Sequence, residues 1–383
     1  MIYLDNSATT RPFDRVIEAM ASAMREDYYN ASAAYAPALS VEKRLRACRA
    51  DIARELGAQE GEVIFTSGGT ESDNLALLGA AQALHGPGNF VCSAVEHPAV
   101  AETICRVERM GFEVRLLPVD GRGVVDMQAA QRVIDERTAL VSCMQVNNET
   151  GAIQPVEALS RLAKSKNPAA LMHVDGVQGF MRVPIHMGRC GIDLYSLSGH
   201  KIHGPKGIGA LIARKGVRLV AQQTGGGQER GLRSGTTDSP GIVGLHAAVR
   251  EMATRRDEIE ELRAMKMRLS QRLSGVEGVS INGPAPDSPD SAPHILSLSF
   301  EGVRGEVLRN ALEGVGILVS TGSACASHKQ KVSGALRQMG MTTEQADGTI
   351  RVSLGLFNTA EEIDEAAARM IELSAVLRRY RRR

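Results

Sequence analysis

The chain has 383 residues, 43% of them hydrophobic and 23% charged, an ordinary globular composition that argues against disorder. At about 150 residues per domain it suggests two or three domains, with roughly three quarters of the unfolded surface buried and no need of disulfides or a structural metal. Lys and Arg number 45 against 44 Asp and Glu, for a net charge of +1, and aromatics are 3% with no Trp; this removes the basic stripe of a nucleic-acid binder and the stacking platform of a single-strand binder.

The N-terminus, Met1-Ile2-Tyr3-Leu4-Asp5-Asn6-Ser7, has neither a basic segment nor an apolar core, so no signal peptide is expected. From about residue 60 to 215, short apolar runs alternate with helical patterns. Strands are expected at 62–66, 89–93, 113–118, 138–146, 169–174 and 207–213, with helices at 71–84, 100–110, 127–135 and 156–165. Such alternation is the signature of βα units around a mostly parallel sheet. Residues 239–273 read as one long helix or two consecutive ones, followed by a loop with Pro284, Pro286, Pro289 and Pro293. Strand 294–300, helix 306–315, strand and loop 317–332, strand 349–354 and helix 360–377 then form a smaller α+β unit. The Arg-rich tail 378–383 reads as a solvated helix end. No run nears about 18 consecutive apolar residues, so no membrane span is expected. The six cysteines (Cys48, Cys92, Cys105, Cys143, Cys190, Cys325) show no CxxC spacing, which fits a reducing cytoplasmic compartment with mostly structural thiols. Scattered histidines give no metal-ligand spacing.

In open α/β sheets, ligands bind at the C-terminal strand ends, so a site would assemble from the residues just after each apolar run. Ser67-Gly68-Gly69-Thr70 opens a helix and can cradle an anion on free N–H groups. Glu96-His97-Pro98 comes after the next strand, and Asn147-Asn148-Glu149-Thr150-Gly151 after the fourth. Leu171 to Val174 ends in Asp175, with Gln178 beyond; a carboxylate at the exit of a buried strand must be paired. Ser196-Leu197-Ser198-Gly199-His200-Lys201 places a lysine among Ser, Gly and His rather than on an amphipathic face. Singly these read equally as a helix start, a structural histidine, a turn and a surface lysine. Together they supply an anion cradle, an imidazole, a buried acid and an imine-forming lysine, which are the requirements of pyridoxal phosphate.

These motifs resemble the cysteine desulfurases of aminotransferase class V, fold type I pyridoxal phosphate enzymes. The matching segments run in order along almost the whole chain: 3–9, 65–72, Glu96-His97, 146–151, 173–178, 196–209, Gly226 to Glu229, 233–236, Gly322-Ser323-Ala324-Cys325 and 350–355. Ser323-Ala324-Cys325 before a Ser- and Lys-rich stretch is similar to the NifS- and IscS-like group with its long cysteine loop. The resemblance implies a large pyridoxal-phosphate domain over 16–256 and a small α+β domain from 1–15 plus 257–383 carrying the cysteine loop. It implies that Lys201 is the Schiff-base lysine, Asp175 the partner of the pyridine nitrogen, and His97 the ring-stacking imidazole. Gln178 and Asn148 would meet the phenolic oxygen or substrate; Gly69, Thr70, Ser198 and His200 would hold the phosphate, with Thr236 reaching it from the other subunit of a homodimer. Arg351 would clamp the carboxylate of L-cysteine, as guanidinium geometry favours, with Asn30 beside it, and Cys325 would take the sulfur as a persulfide for an acceptor protein, an iron–sulfur scaffold or a thiolation enzyme.

One departure bears on the substrate: the family's Asn-Pro-Ser-Ser-x-His segment is here Asn30-Ala31-Ser32-Ala33-Ala34-Tyr35. The readings left open beside a desulfurase are a β-lyase, a selenocysteine lyase or an aminotransferase on the same scaffold, and a non-catalytic sulfur or iron–sulfur scaffold.

Overall fold

A computed structural model describes residues 1–84, 86, 88–321 and 333–381. In chain order its elements are β1 (Ile2–Tyr3), α1 (Asp14–Glu26), α2 (Ala36–Glu55), β2 (Val63–Thr66), α3 (Gly69–Ala83), β3 (Asn89–Ser93), α4 (Pro98–Arg109), β4 (Glu113–Leu117) and α5 (Met127–Val133). There follow β5 (Thr138–Ser142), α6 (Val156–Lys166), β6 (Leu171–Asp175), α7 (Met187–Cys190), β7 (Leu194–Ser198), β8 (Gly209–Ala213), α8 (Ser239–Thr254) and α9 (Arg256–Leu273). The last are β9 (Val279–Asn282), β10 (Ile295–Phe300), α10 (Gly305–Gly314), β11 (Ile317–Leu318), α11 (Gly334–Gln338), α12 (Thr343–Asp347), β12 (Thr349–Ser353) and α13 (Ala360–Arg381).

Seven strands make one sheet in the order β2-β8-β7-β6-β5-β3-β4, parallel except that β8 runs antiparallel to both neighbours. The mostly parallel α/β architecture expected from the alternation is present. Side chains alternate across such a sheet, and both faces are covered. Val63, Phe65, Val91, Val141, Met172, Val174, Tyr195 and Leu197 pack on one side with α1, α2, α6 and α8. Ile64, Phe90, Cys92, Leu140, Leu194 and Leu211 pack on the other with α3 and α4. A second, three-stranded antiparallel sheet, β12-β10-β9, builds its own core with α9, α10 and α13, joined by Leu4 and the parallel pair β1–β11.

Two local expectations change, and one alternative is decided. The run 138–146 is strand only to Ser142, because the chain then leaves the sheet to form a bridge between Val146 and Ile153. The stretch 239–273 is two helices, parted at Arg255. Cys105 is exposed rather than a core thiol, since Val100, Ile104 and Val107 already take the inner face of α4; Cys48, Cys92 and Cys143 are buried, and all five described cysteines are free.

Candidate active site

The site assembles where β2, β3, β6 and β7 end. Between β2 and α3 the chain turns through Gly68 at φ 153°, a region that suits glycine. A Cβ on Gly69 would sit 2.5 Å from Val177 Cγ2, and one on Gly209 of the facing strand 2.5 Å from the Leu197 carbonyl and 2.7 Å from Gly68 Cα. Backbone is thus packed against backbone, and the first N–H groups of α3 stay open. Ser198, buried at the end of β7, lies against this turn, with its Cβ 3.7 Å from the position of a Gly69 Cβ. Glu71 ties the turn down: it accepts the Ser67 N–H (2.7 Å) and pairs with Arg233 (2.9 Å). Burial works against its charge, but these bonds prevail and hold its pKa below the usual value.

After β3, His97 caps α4, its Nδ1 accepting the Ala99 N–H (3.1 Å), and Pro98 opens the helix where no amide is needed. His97 and Thr70 line one pocket with Asn74, Glu102, Thr103 and Arg106. Burial lowers the His97 pKa; Asp175 opposes this, while Lys201 and Arg351 add to it, so all four groups lie within electrostatic reach.

Asp175 ends β6 and is 5% exposed, its Oδ1 accepting the Val177 N–H (2.9 Å). Burial, reinforced by Asp73, raises its pKa from 3.8 to about 7. Gln178 donates to the Ser7 carbonyl (3.0 Å), and its buried Oε1 has no hydrogen-bond partner among the described residues. Lys201 follows β7 in a short 3-10 turn; its Nζ donates to the carbonyls of Ser7 (2.6 Å) and Ala8 (2.9 Å), and its own carbonyl accepts from Arg182. His200 meets Thr9 Oγ1 at 3.2 Å, and burial depresses its pKa to about 4.

The segment from Asp5 to Thr10 therefore spans the two sheets. Asp5 bridges to Ser353, Ser7 N–H donates to Ser353 Oγ (2.8 Å), and Thr10 donates to the His200 carbonyl. Arg351 on β12 is 5% exposed; Nη1 donates to the Asn148 carbonyl (2.9 Å), Nη2 pairs with Asp5 (2.7 Å), and the buried Nε has no partner among the described residues. Glu149 beside it is half-buried, and desolvation raises its pKa to about 7 despite Ser333 and Arg351.

Lys201, Asp175, His97, Gln178, His200, Asn148 and Arg351 are thus drawn together, with Gly69, Thr70 and Ser198 at the adjoining turn. Two of the sequence candidates stand apart within one chain. Asn30 is exposed, its side chain capping its own turn at Ser32 N–H (2.9 Å), and Thr236 is exposed and makes no side-chain hydrogen bond among the described residues. Cys325 lies outside the described residues. The sequence reading missed Asp5, Asp73, His173 and Arg182. An acid inside the apolar run of α3 and a histidine inside that of β6 were the available signals for two of them.

The aminotransferase class-V family profile matches residues 2–366. The chain belongs to the aminotransferase class-V family. Among its relatives, a cysteine desulfurase IscS of Escherichia coli is 43% identical over 373 residues, covering 95% of this chain and 90% of that protein. A solved NifS-like protein superposes with a TM-score of 0.91 at 38% identity, covering 98% of this chain and 99% of that one. A structure of SspA in complex with cysteine gives 0.79 at 32% identity, covering 94% of this chain and 100% of that one. The resemblance carried by the motifs holds along the class-V chain, from its first strand into its last helix.

Proposed function

We propose that this class-V chain is a pyridoxal-phosphate-dependent cysteine desulfurase that converts L-cysteine to L-alanine and leaves a persulfide on Cys325. The observation that carries the reading is the convergence of Lys201, Asp175, His97 and Arg351 at the strand ends, in a chain whose relatives include a cysteine desulfurase. The donor set fits the cofactor. A buried carboxylate with a raised pKa needs a cation, which a protonated pyridine supplies. Gln178 keeps a buried oxygen without a partner among the described residues, and the glycine turn leaves helix N–H groups for a phosphate.

Pyridoxal phosphate, when bound, supplies an electron sink that acidifies the α carbon of an amine substrate. Lys201 would hold its aldehyde, Asp175 its ring nitrogen and His97 a ring face. Gly69, Thr70, Ser198 and His200 would hold its phosphate, and Gln178 and Asn148 its phenolic oxygen. Arg351, aimed by Asp5 and Asn148, keeps Nε and further N–H groups for the substrate carboxylate. Lys201 Nζ is the base within reach of the α proton, and the Ser7 and Ala8 carbonyls orient it. Cys325, a short way along the chain from the Ser320–Arg351 pairing, supplies the thiolate that takes the sulfur.

We further propose a homodimer with shared sites. Ile17, Met24, Tyr28, Tyr35 and Leu39, from α1 to α2, are more than half exposed, an apolar surface that a second copy would cover. Asn30 and Thr236, exposed in one chain, would then serve the partner's site. The proposed division into domains, 16–256 and 1–15 with 257–383, assigns Lys201 to the large domain and Cys325 to the small one. The sulfur would pass to an acceptor protein, an iron–sulfur scaffold or a thiolation enzyme, in the cytoplasm; no described helix is long and apolar enough to cross a membrane. Incubation with L-cysteine, with alanine and sulfide measured and the persulfide mapped by mass spectrometry, tests this. Alanine with a persulfide on Cys325 supports the desulfurase. Pyruvate and free sulfide without a protein persulfide would establish a β-lyase.

A further inference from the structure

Beneath Asp175, on the α3 side of the large sheet, lies a set of titratable groups that the proposed chemistry does not use. Asp73 is carried by α3 into a layer otherwise built of Leu75, Ala76, Leu140 and Leu194, and is 1% exposed. Its Oδ1 stands 3.5 Å from His173 Nε2 and has no hydrogen-bond partner among the described residues. His173 is fully buried, with Nδ1 2.8 Å from Ser142 Oγ and Nε2 3.1 Å from Ser196 Oγ. The register brings these groups together: Ser142 faces His173 across β5–β6, and Ser196 faces Asp175 across β6–β7. His173 and Asp175 are two apart on β6 and share its α3 face.

The donors and acceptors of this series can be satisfied in two ways. With Asp73 ionised, His173 carries its proton on Nε2 and donates to Ser196, whose hydroxyl is left for Asp73, and Ser142 donates to Nδ1. With Asp73 protonated, every bond reverses and His173 carries its proton on Nδ1. The two arrangements differ by the single proton held on Asp73. Two ionised carboxylates in one buried layer repel each other, so one proton shared between them is the stable state.

The other titratable groups facing this layer are Cys92 on β3, whose thiol burial pushes up and keeps neutral, Glu96, after β3, and His97, across Asp175. Glu96 accepts the Met144 N–H (2.7 Å) and a bond from Ser93; burial raises its pKa to about 8, so it stays neutral below that pH and titrates above it. Burial holds His173 down to about 4, so it relays a proton without gaining a charge.

Resting on the reading of Asp175 as the partner of the cofactor's ring nitrogen, we infer that Asp73 is a positioning residue for it: the two acids hold one proton between them, and the Ser196–His173–Ser142 series keeps that proton on Asp73 when a cation lies against Asp175. The cation makes Asp175 the better site for negative charge, and the reversed series gives the proton on Asp73 a hydrogen-bonded place. No net charge is added to the layer.

The test uses the whole chain without cofactor, with 15N-labelled His and 13C-labelled Asp followed by NMR from pH 5 to 9. In the wild type, the ring proton of His173 moves from Nε2 to Nδ1 as the pH falls through the titration of Asp73. In Asp73→Asn that tautomer no longer changes, and the Asp175 carboxyl titrates about one pH unit lower, a tenfold change in proton affinity. Ser196→Ala, which cuts the series but keeps both acids, uncouples the His173 tautomer from pH and leaves the Asp175 midpoint raised; it carries the test if Asp73→Asn does not fold. Adding pyridoxal phosphate to the wild type at pH 6.5, where the pair still holds a proton, moves His173 to the Nδ1 form. A His173 tautomer indifferent to pH in the wild type, or an Asp175 midpoint the same with and without Asp73, overturns the inference. Failure of pyridoxal phosphate to bind the wild type instead sinks the ring-partner reading, because the cofactor-free measurements judge the pair by themselves.

Discussion

Replacing Asp175 by Asn makes a demanding test, because stability and function should move in opposite directions. Asn keeps the Oδ1 acceptor for the Val177 N–H, so the loop after β6 loses no hydrogen bond. What disappears is a buried charge. Burial, with Asp73 adding to it, raises the Asp175 pKa from 3.8 to about 7, a displacement worth on the order of 4 kcal/mol. Below about pH 4 the group is neutral in folded and unfolded chains alike and contributes nothing. Between about pH 4 and 7 it is ionised when unfolded and protonated when folded, so the fold loses about 1.4 kcal/mol per pH unit. Above about pH 7 the full penalty applies.

The cofactor-free Asp175→Asn protein should therefore be more stable than wild type, by an amount that grows from pH 5 to pH 8. Urea unfolding at the two pH values measures this. Alanine production from cysteine should meanwhile fall at least about a hundredfold, the scale of losing roughly 3 kcal/mol at the transition state, because nothing then holds the ring nitrogen protonated. A stability difference that does not change with pH, or a variant less stable at pH 8, would refute the electrostatic argument. Near-normal turnover would make Asp175 a structural acid at a strand end.

Borohydride treatment of the loaded protein should fix the cofactor's mass on the peptide containing Lys201, and Lys201→Ala should abolish that label and turnover together. Cys325→Ser should still bind cysteine and shift the cofactor's absorption, yet release alanine far more slowly, since a hydroxyl at neutral pH is a much poorer sulfur nucleophile than a thiolate; pyruvate and sulfide formed at the wild-type rate would favour the β-lyase. Arg351→Lys loses the two-armed geometry set by Asp5 and Asn148; a charged hydrogen bond lost is worth about 1.5–3 kcal/mol, so the cysteine needed for half-maximal rate should rise roughly ten- to a hundredfold. Gly209→Ala should lower the unfolding midpoint, because its Cβ would lie 2.5 Å from the Leu197 carbonyl and 2.7 Å from Gly68 Cα, and overpacking of this kind costs about 1–3 kcal/mol.

The large sheet was legible wherever a strand was a mostly apolar run, as at Val63–Thr66 and Gly209–Ala213, because strands buried on both faces have no polar side to interrupt them. β7 was hidden. Its side chains Ser196 and Ser198 are polar, so the segment reads as a motif and not as a strand, although it lies at the centre of the sheet. The same cause hid the boundary of β5: apolar residues continue past Ser142, but they pack in a loop and not in a ladder. α1 and α2 escape a sequence reading for a different reason. In α1 the apolar stripe of Val16, Ala19, Met20 and Ala23 does mark an inward face, but Ile17 and Met24 widen it into solvent, and α2 adds the exposed Leu39 to a weakly one-sided helix.

The site was legible in its chemistry and illegible in its supports. Lys201, Asp175 and His97 could be proposed from the sequence because an imine, a ring partner and a stacking imidazole would each need one residue type at a strand end. The groups that aim them come from far along the chain and carry no local pattern: the Ser7 and Ala8 carbonyls on Lys201, Arg182 on its carbonyl, and Asp5 on Arg351. Backbone carbonyls leave no trace in a sequence, and an Asp–Arg pair joined across most of the chain leaves none either. Asp73 and His173 lie between these extremes. Each is a polar residue in an apolar run, and burial makes such a residue expensive unless its neighbours satisfy it. Ser142 and Ser196 on the flanking strands do so for His173, and through Ser196 for Asp73, at the one place in the large sheet where Asp175 also needs its charge controlled. The polar row across β5, β6 and β7 is therefore a single electrostatic unit, and its residues only make physical sense when read across the strands and not along them.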